Sequence, residues 1–226
     1  MRSKALLCQA AIVAYAMSSM AQANVYSVNI VGYATVSVPP GYSLLANPLS
    51  TGVTNGANEI MPVIDGEQIL TWNGSGFSYV SFDSGFGGWV DANQAPAAAP
   101  SLPPGKGFFF YNPGGFATNV TFVGQVVPGP LSTNCLQIPV GYSLIGSPLP
   151  ATVTNITSAP VRLPLIDGLQ ILTWNGSGYV YTSYDTGFGG WIDANSAPTN
   201  APPYTLGQGF FLFQPSAAAT WCQNLP

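Results

Sequence analysis

Histidine is missing from all 226 residues, lysine and arginine together number four, and only 5% of the chain is charged. Without imidazole there is no Ser-His-Asp or Cys-His nucleophile, no histidine general base and no histidine-ligated zinc. Any catalysis would have to rest on carboxylates, and a non-enzymatic protein is expected. Arg2 and Lys4 sit at the amino end, so beyond position 23 only Lys106 and Arg162 face eight acids, a net charge of −6. Phosphate binding needs clustered cations, so nucleic acid is not an expected partner. The glycine-rich stretches Gly74-Ser75-Gly76 and Gly85-Phe86-Gly87-Gly88 lack the helix and lysine of a phosphate-cradling loop.

Long apolar runs are absent too, apart from the first segment, where a basic start precedes Ala5 to Ala16 and then Ala21-Gln22-Ala23. This is the pattern of a secretory leader, residues 1–23, cleaved before Asn24. The apolar stretch is too short to span a bilayer, so no transmembrane segment is expected after cleavage, and the destination is the medium or the cell surface. Of three cysteines, cleavage leaves Cys135 and Cys222, an even number bound for an oxidising space and expected to pair.

What the chain does have is apolar area and punctuation: 47% hydrophobic residues, 26 glycines and 21 prolines. Short runs of Val, Ile, Phe, Tyr and Trp between turn residues favour strands. The chain also repeats itself. Gly41-Tyr42-Ser43-Leu44 recurs as Gly141-Tyr142-Ser143-Leu144, and Gly105-Lys106-Gly107-Phe108-Phe109 as Gly207-Gln208-Gly209-Phe210-Phe211. Ile69 to Asn93 matches Ile171 to Asn195 at nineteen of twenty-five positions, and the offset grows from 100 to 102 near Pro160. Two modules follow, residues 24–128 and 129–226, joined at Val127-Pro128-Gly129-Pro130.

Within a copy, Ala34 to Val38, Tyr42 to Ala46, Ile69 to Trp72, Phe77 to Phe82, Phe108 to Tyr111 and Asn119 to Val123 read as strands. Asp65-Gly66 and Asn73-Gly74-Ser75-Gly76 read as hairpin turns. The fold class expected is all-β, a tandem duplication of a small β-sandwich or partly open β-barrel of about six strands per copy. The repeat offset puts Cys135 on the first strand of copy two and Cys222 on its last, with Thr35 and Val120 at the matching places in copy one.

The motifs Gly-Tyr-Ser-Leu, Thr-Trp-Asn-Gly and Gly-x-Gly-Phe-Phe together resemble a β-rich module of uncharacterised exported bacterial proteins. That resemblance implies fold and export, and no chemistry.

The densest group of polar residues is the loop holding Asp83, Trp89, Asp91 and Asn93, with its twin at Asp185, Trp191, Asp193 and Asn195. Acids and an amide around a glycine bend could coordinate calcium, although the spacing is not that of an EF-hand. The same residues beside a tryptophan could hold a sugar, one site per repeat. The structural alternative is that Asp and Asn cap their own turns while the tryptophan plugs a core. Phe77, Tyr79, Tyr179 and Tyr181 alternate along their strands and read as core or cross-strand pairs. Two roles are therefore expected: a structural or adhesive protein of the envelope or extracellular matrix, or a carbohydrate-binding protein. The partner is another copy or a surface glycan, and the extra strand at Asn24 to Ile30 could pair on an open sheet edge.

Overall fold

The computed structural model describes residues 31–52, 54–127 and 134–223; the expected leader, the strand at Asn24 to Ile30 and the middle of the joint lie outside them. Short apolar runs cut by glycine and proline become seven strands per copy. Copy one holds β1 (Val31–Val38), β2 (Gly41–Ala46), β3 (Gln68–Trp72), β4 (Phe77–Asp83), β5 (Gly88–Asp91), β6 (Gly107–Asn112) and β7 (Thr118–Gln125), with one helical turn, α1 (Ala57–Ile60). Copy two holds β8 (Asn134–Ile138), β9 (Gly141–Ile145), β10 (Gln170–Trp174), β11 (Tyr179–Asp185), β12 (Gly190–Asp193), β13 (Phe210–Gln214) and β14 (Ala219–Gln223).

Every pairing is antiparallel, and each copy makes the same two pieces: a five-stranded sheet in the order β2-β6-β3-β4-β5 or β9-β13-β10-β11-β12, and a two-stranded ribbon, β1-β7 or β8-β14. The all-β class is as expected, in its sandwich form: the ribbon covers one face of the sheet and the sheet does not close into a barrel. The strand missed is the short Gly88–Asp91, which pairs with β4 across the turn taken for a site loop. Asp65-Gly66 turns the chain from α1 into β3 and is not the tip of a hairpin.

Side chains alternate across a strand, and here both faces are used. On the inner face, Ile69, Phe108 and Phe110 pack under Ala34, Val38, Val120 and Phe122 of the ribbon. Copy two does the same with Ile171, Phe210 and Leu212 under Ile138 and Trp221. Trp221 stands in register where copy one has Val120, and its indole N–H donates to the Val161 carbonyl at 2.6 Å, in the stretch that replaces α1. On the outer face, Leu44 and Phe109 meet Leu144 and Phe211 of the other copy. This explains why Phe108 to Tyr111 reads as buried on both sides.

The two copies are locked through backbone. The Gly209 N–H donates to the Leu44 carbonyl (3.0 Å), the Ala46 N–H to the Gly207 carbonyl (2.8 Å), and reciprocally the Gly146 N–H to the Gly105 carbonyl (3.1 Å). The bridges Leu45↔Gln208 and Lys106↔Ile145 are repeat mates of one another. Glycine is required by closeness: a Cβ on Gly209 would lie 2.4 Å from the Leu45 carbonyl oxygen, and one on Gly146 would lie 2.3 Å from the Ala46 Cβ. Each copy thereby covers part of the exposed edge of the other's sheet, β2 or β9.

The expected disulfide is present, joining Cys135 and Cys222 directly across the β8-β14 ribbon. Its counterpart in copy one is Thr35 opposite Thr121, whose hydroxyls are 3.0 Å apart. The matching residue is thus Thr121 and not Val120, because the turn between the last two strands is one residue shorter in copy two.

Gly209→Ala is expected to lower stability by about 1–3 kcal/mol through forced overpacking at the junction. Gly190→Ala, whose Cβ meets nothing within 4 Å, should stay near neutral in the same denaturant melt. Reducing the disulfide, which closes a loop of separation 87, should cost no more than about 4–5 kcal/mol. The paired variant Cys135→Thr with Cys222→Thr should melt above Cys135→Ala with Cys222→Ala, by about 1 kcal/mol for the recovered hydrogen bond.

Candidate functional site

The loops favoured on sequence are self-contained turns. Asp83 Oδ1 accepts from the N–H groups of Gly85 (2.8 Å) and Phe86 (3.2 Å), and Asp91 Oδ1 from those of Asn93 (2.8 Å) and Ala95 (2.9 Å). Asp185 and Asp193 repeat the pattern to within 0.1 Å, Asn195 donating its backbone N–H as Asn93 does. Those backbone bonds hold the Asp193 carboxyl below its usual range. Trp89 is 5% exposed and Trp191 9%, each with an aromatic neighbour edge-on, Phe82 or Tyr184, and Trp89 spends its N–H on Asn58. The tryptophans are therefore buried plugs beside self-capped turns, as the structural alternative to a ligand site has it. No cluster of three or more acids or cysteines able to hold a metal occurs among the described residues. The outward groups of these loops are Phe86 and Phe188, both 62% exposed at the hairpin tips.

A different constellation forms where the sheets meet. Residues in register on adjacent strands share a face, so β2, β6, β3 and β4 present three rows on the outer side. The rows are Tyr42-Tyr111-Gln68-Ser81, Leu44-Phe109-Leu70-Tyr79 and Trp72-Phe77. Copy two presents Tyr142-Phe213-Gln170-Ser183, Leu144-Phe211-Leu172-Tyr181 and Trp174-Tyr179. The middle rows are buried against each other around Leu44, Phe109, Leu144 and Phe211.

Tryptophans cross the junction. The Trp174 N–H donates to the Tyr42 carbonyl (2.8 Å) and the Trp72 N–H to the Tyr142 carbonyl (3.0 Å). Phe109 meets Trp174 edge-on at 5.4 Å, and Phe211 meets Trp72 at the same distance. Between the sheets lies an aromatic cleft of about 180 Å³, walled by Tyr42, Leu70, Phe77, Phe109, Trp174 and Tyr179. Its walls come from both copies, so it exists only in the docked pair.

The first row, the rim row, reaches the cleft through Tyr42 and is polar but uncharged. Tyr42 donates to Gln68 Oε1 at 2.6 Å, while the hydroxyls of Tyr79 and Tyr111 and the amide nitrogen of Gln68 have no partner among the described residues. Burial pushes the Tyr42 phenol above its ordinary range, and the neighbouring phenols of Tyr79 and Tyr111 add to the shift. Tyr42 therefore stays neutral, a donor and acceptor and never an anion at ordinary pH. Alternation at Phe77, Tyr79, Tyr179 and Tyr181 was the available sequence signal; only pairing in register adds Tyr42, Tyr111 and Gln68 to it.

One buried acid lies apart from this cleft. Glu67 is fully buried, accepts from the Ile64 N–H through Oε2 (2.8 Å) and leaves Oε1 without a partner among the described residues; copy two has Leu169 there. Burial pushes its carboxyl up to about 7.

In comparison with known proteins, no family model matches the chain, no curated sequence matches it and no solved structure matches its fold.

A carboxyl raised on folding favours the folded state only while protonated. Stability should therefore fall as pH rises from about 4.5 to about 7, by roughly 3 kcal/mol. Glu67→Leu should remove that fall and raise the melting temperature at pH 8. Asp65, Asp167, Asp193 and Glu59, held low by hydrogen bonds, act in the opposite sense and weaken the fold only below about pH 4. Melts from pH 3 to pH 9 check both limbs.

Proposed function

We propose that the protein is an exported, non-enzymatic adhesive component of a cell envelope or extracellular matrix that holds neutral glycan chains. Export follows from the leader-like amino end and fits a cysteine pair that is oxidised. The observation that carries the glycan reading is the rim row: Tyr42, Tyr111 and Gln68 beside Tyr79, aromatic faces next to hydroxyl and amide groups unpartnered among the described residues, with no charge among them. Sugars present an apolar CH face flanked by hydroxyls, and aromatic rings with amide and phenol groups match both parts. The absence of charge in the row favours a neutral chain over a uronate or sulfate ester.

This reading moves the one-site-per-repeat expectation from the Asp-Asn-Trp turns to the sheet faces. A second reading, self-association into a matrix, is favoured by Phe86 and Phe188 at the hairpin tips and by Phe116, which is more exposed still.

A glycan array with titration calorimetry on its hits separates the two. Tyr111→Phe removes one hydroxyl and should weaken glycan binding by about 3–10-fold; Gln68→Ala with Tyr111→Ala should weaken it by about 100-fold or more, with the fold unchanged by circular dichroism. An empty array with concentration-dependent sedimentation, abolished in Phe86→Ser with Phe188→Ser, would instead support self-association.

A further inference from the structure

The two rim rows are related by a two-fold rotation. The junction contacts are reciprocal: Trp174 reaches Tyr42 as Trp72 reaches Tyr142, Phe109 meets Trp174 as Phe211 meets Trp72, and the bridge Leu45↔Gln208 has its mate in Lys106↔Ile145. Contacts in which residue i of one unit touches j of the other, and j touches i, define an isologous interface. Duplication and docking have made a two-fold dimer within one chain.

A polysaccharide has a direction, from its non-reducing to its reducing end. The line joining two points related by a two-fold axis is always perpendicular to that axis, and the rotation reverses it. A glycan running straight from one rim row to the other would therefore meet the first row forwards and the second backwards. Hydrogen bonds from Gln68 and Tyr111 that suit the chain on one row would meet the wrong hydroxyls at Gln170 on the other, where Phe213 offers none.

Resting on the glycan reading above, we infer that the protein is a cross-linker: each rim row takes its own neutral glycan segment, and one molecule joins two chains. The rows are unequal. Copy two carries Phe213 where copy one has Tyr111, and its Tyr142 hydroxyl lies 3.5 Å from Gln170 Oε1, against 2.6 Å for Tyr42 and Gln68. The copy-one row is the tighter of the two. Two sites held on one rigid body convert modest individual affinities into firm retention of a polymer.

The test uses the secreted full chain with neutral hexaoses of β-glucan, α-glucan, mannan and xylan, and with the soluble polymer of whichever hexaose binds. Calorimetry should find two sites per molecule, the weaker by about 3–10-fold. Light scattering with the polymer should peak at an intermediate protein ratio and fall in excess protein, the signature of cross-linking. Gln68→Ala with Tyr111→Ala should leave one weak site and abolish the scattering peak, while Phe213→Tyr should bring the two affinities together. A single site per molecule, weakened by variants in either row and giving no scattering peak, would overturn the cross-linking inference and leave glycan recognition standing. No binding by any of the four hexaoses or by the array would remove the glycan reading and this inference with it.

Discussion

Everything distinctive about this molecule depends on how closely two stretches of backbone approach. Gly105 to Gly107 and Gly207 to Gly209 each run beside the outer strand of the opposite sheet, hydrogen-bonding to it where a side chain would have no room. That contact settles how far apart the sheets lie and how they are turned. It also deals with the exposed edges of β2 and β9, which in isolated copies would present unpaired amide and carbonyl groups to any passing strand. The indole N–H groups of Trp72 and Trp174 complete the work by bonding the next carbonyl along each edge.

Once the sheets are held in this way, the aromatic residues between them have little freedom. Edge-to-face pairs such as Phe109 with Trp174 and Phe77 with Phe211 are each worth about 0.5–1.5 kcal/mol beyond the area they bury. The same packing leaves a cleft walled in part by Tyr42, and Tyr42 and its row mates Tyr111 and Gln68 are half-buried. Junction and candidate site are thus one structure: the contacts that dock the copies also create the surface that could hold a ligand. On the outer faces copy two has Phe213 for Tyr111 and Tyr179 for Phe77, which change hydroxyls while the ring pairs stay at matching distances.

The Asp83 and Asp185 loops show why a polar cluster in a sequence is an ambiguous sign. Aspartate near glycine and asparagine is what a ligand site would use, and it is equally what a tight turn uses to satisfy its own N–H groups. Spacing cannot separate the two, because the decision rests on where the carboxylate points. Here it points back at the loop, and Trp89 points into the core beside Phe82. The tyrosines of the rim carried a weaker signal on sequence, since their neighbours come from strands far apart in the chain.

The chain by itself determined the all-β class, the duplication, the six strands with dense apolar or alternating patterns and the disulfide, because these follow from local propensity, turn residues and the pairing of two remaining cysteines. Strand Gly88–Asp91 escaped because its four residues carry no pattern long enough to read. Tertiary structure alone decided that Gly-Lys-Gly-Phe-Phe and Gly-Gln-Gly-Phe-Phe are docking segments, that Tyr42, Tyr79, Tyr111 and Gln68 share one face, and that the copies are related by a two-fold. Each of these depends on register between distant strands and on the close approach of two backbones, and neither quantity is encoded in the order of residues along any one segment.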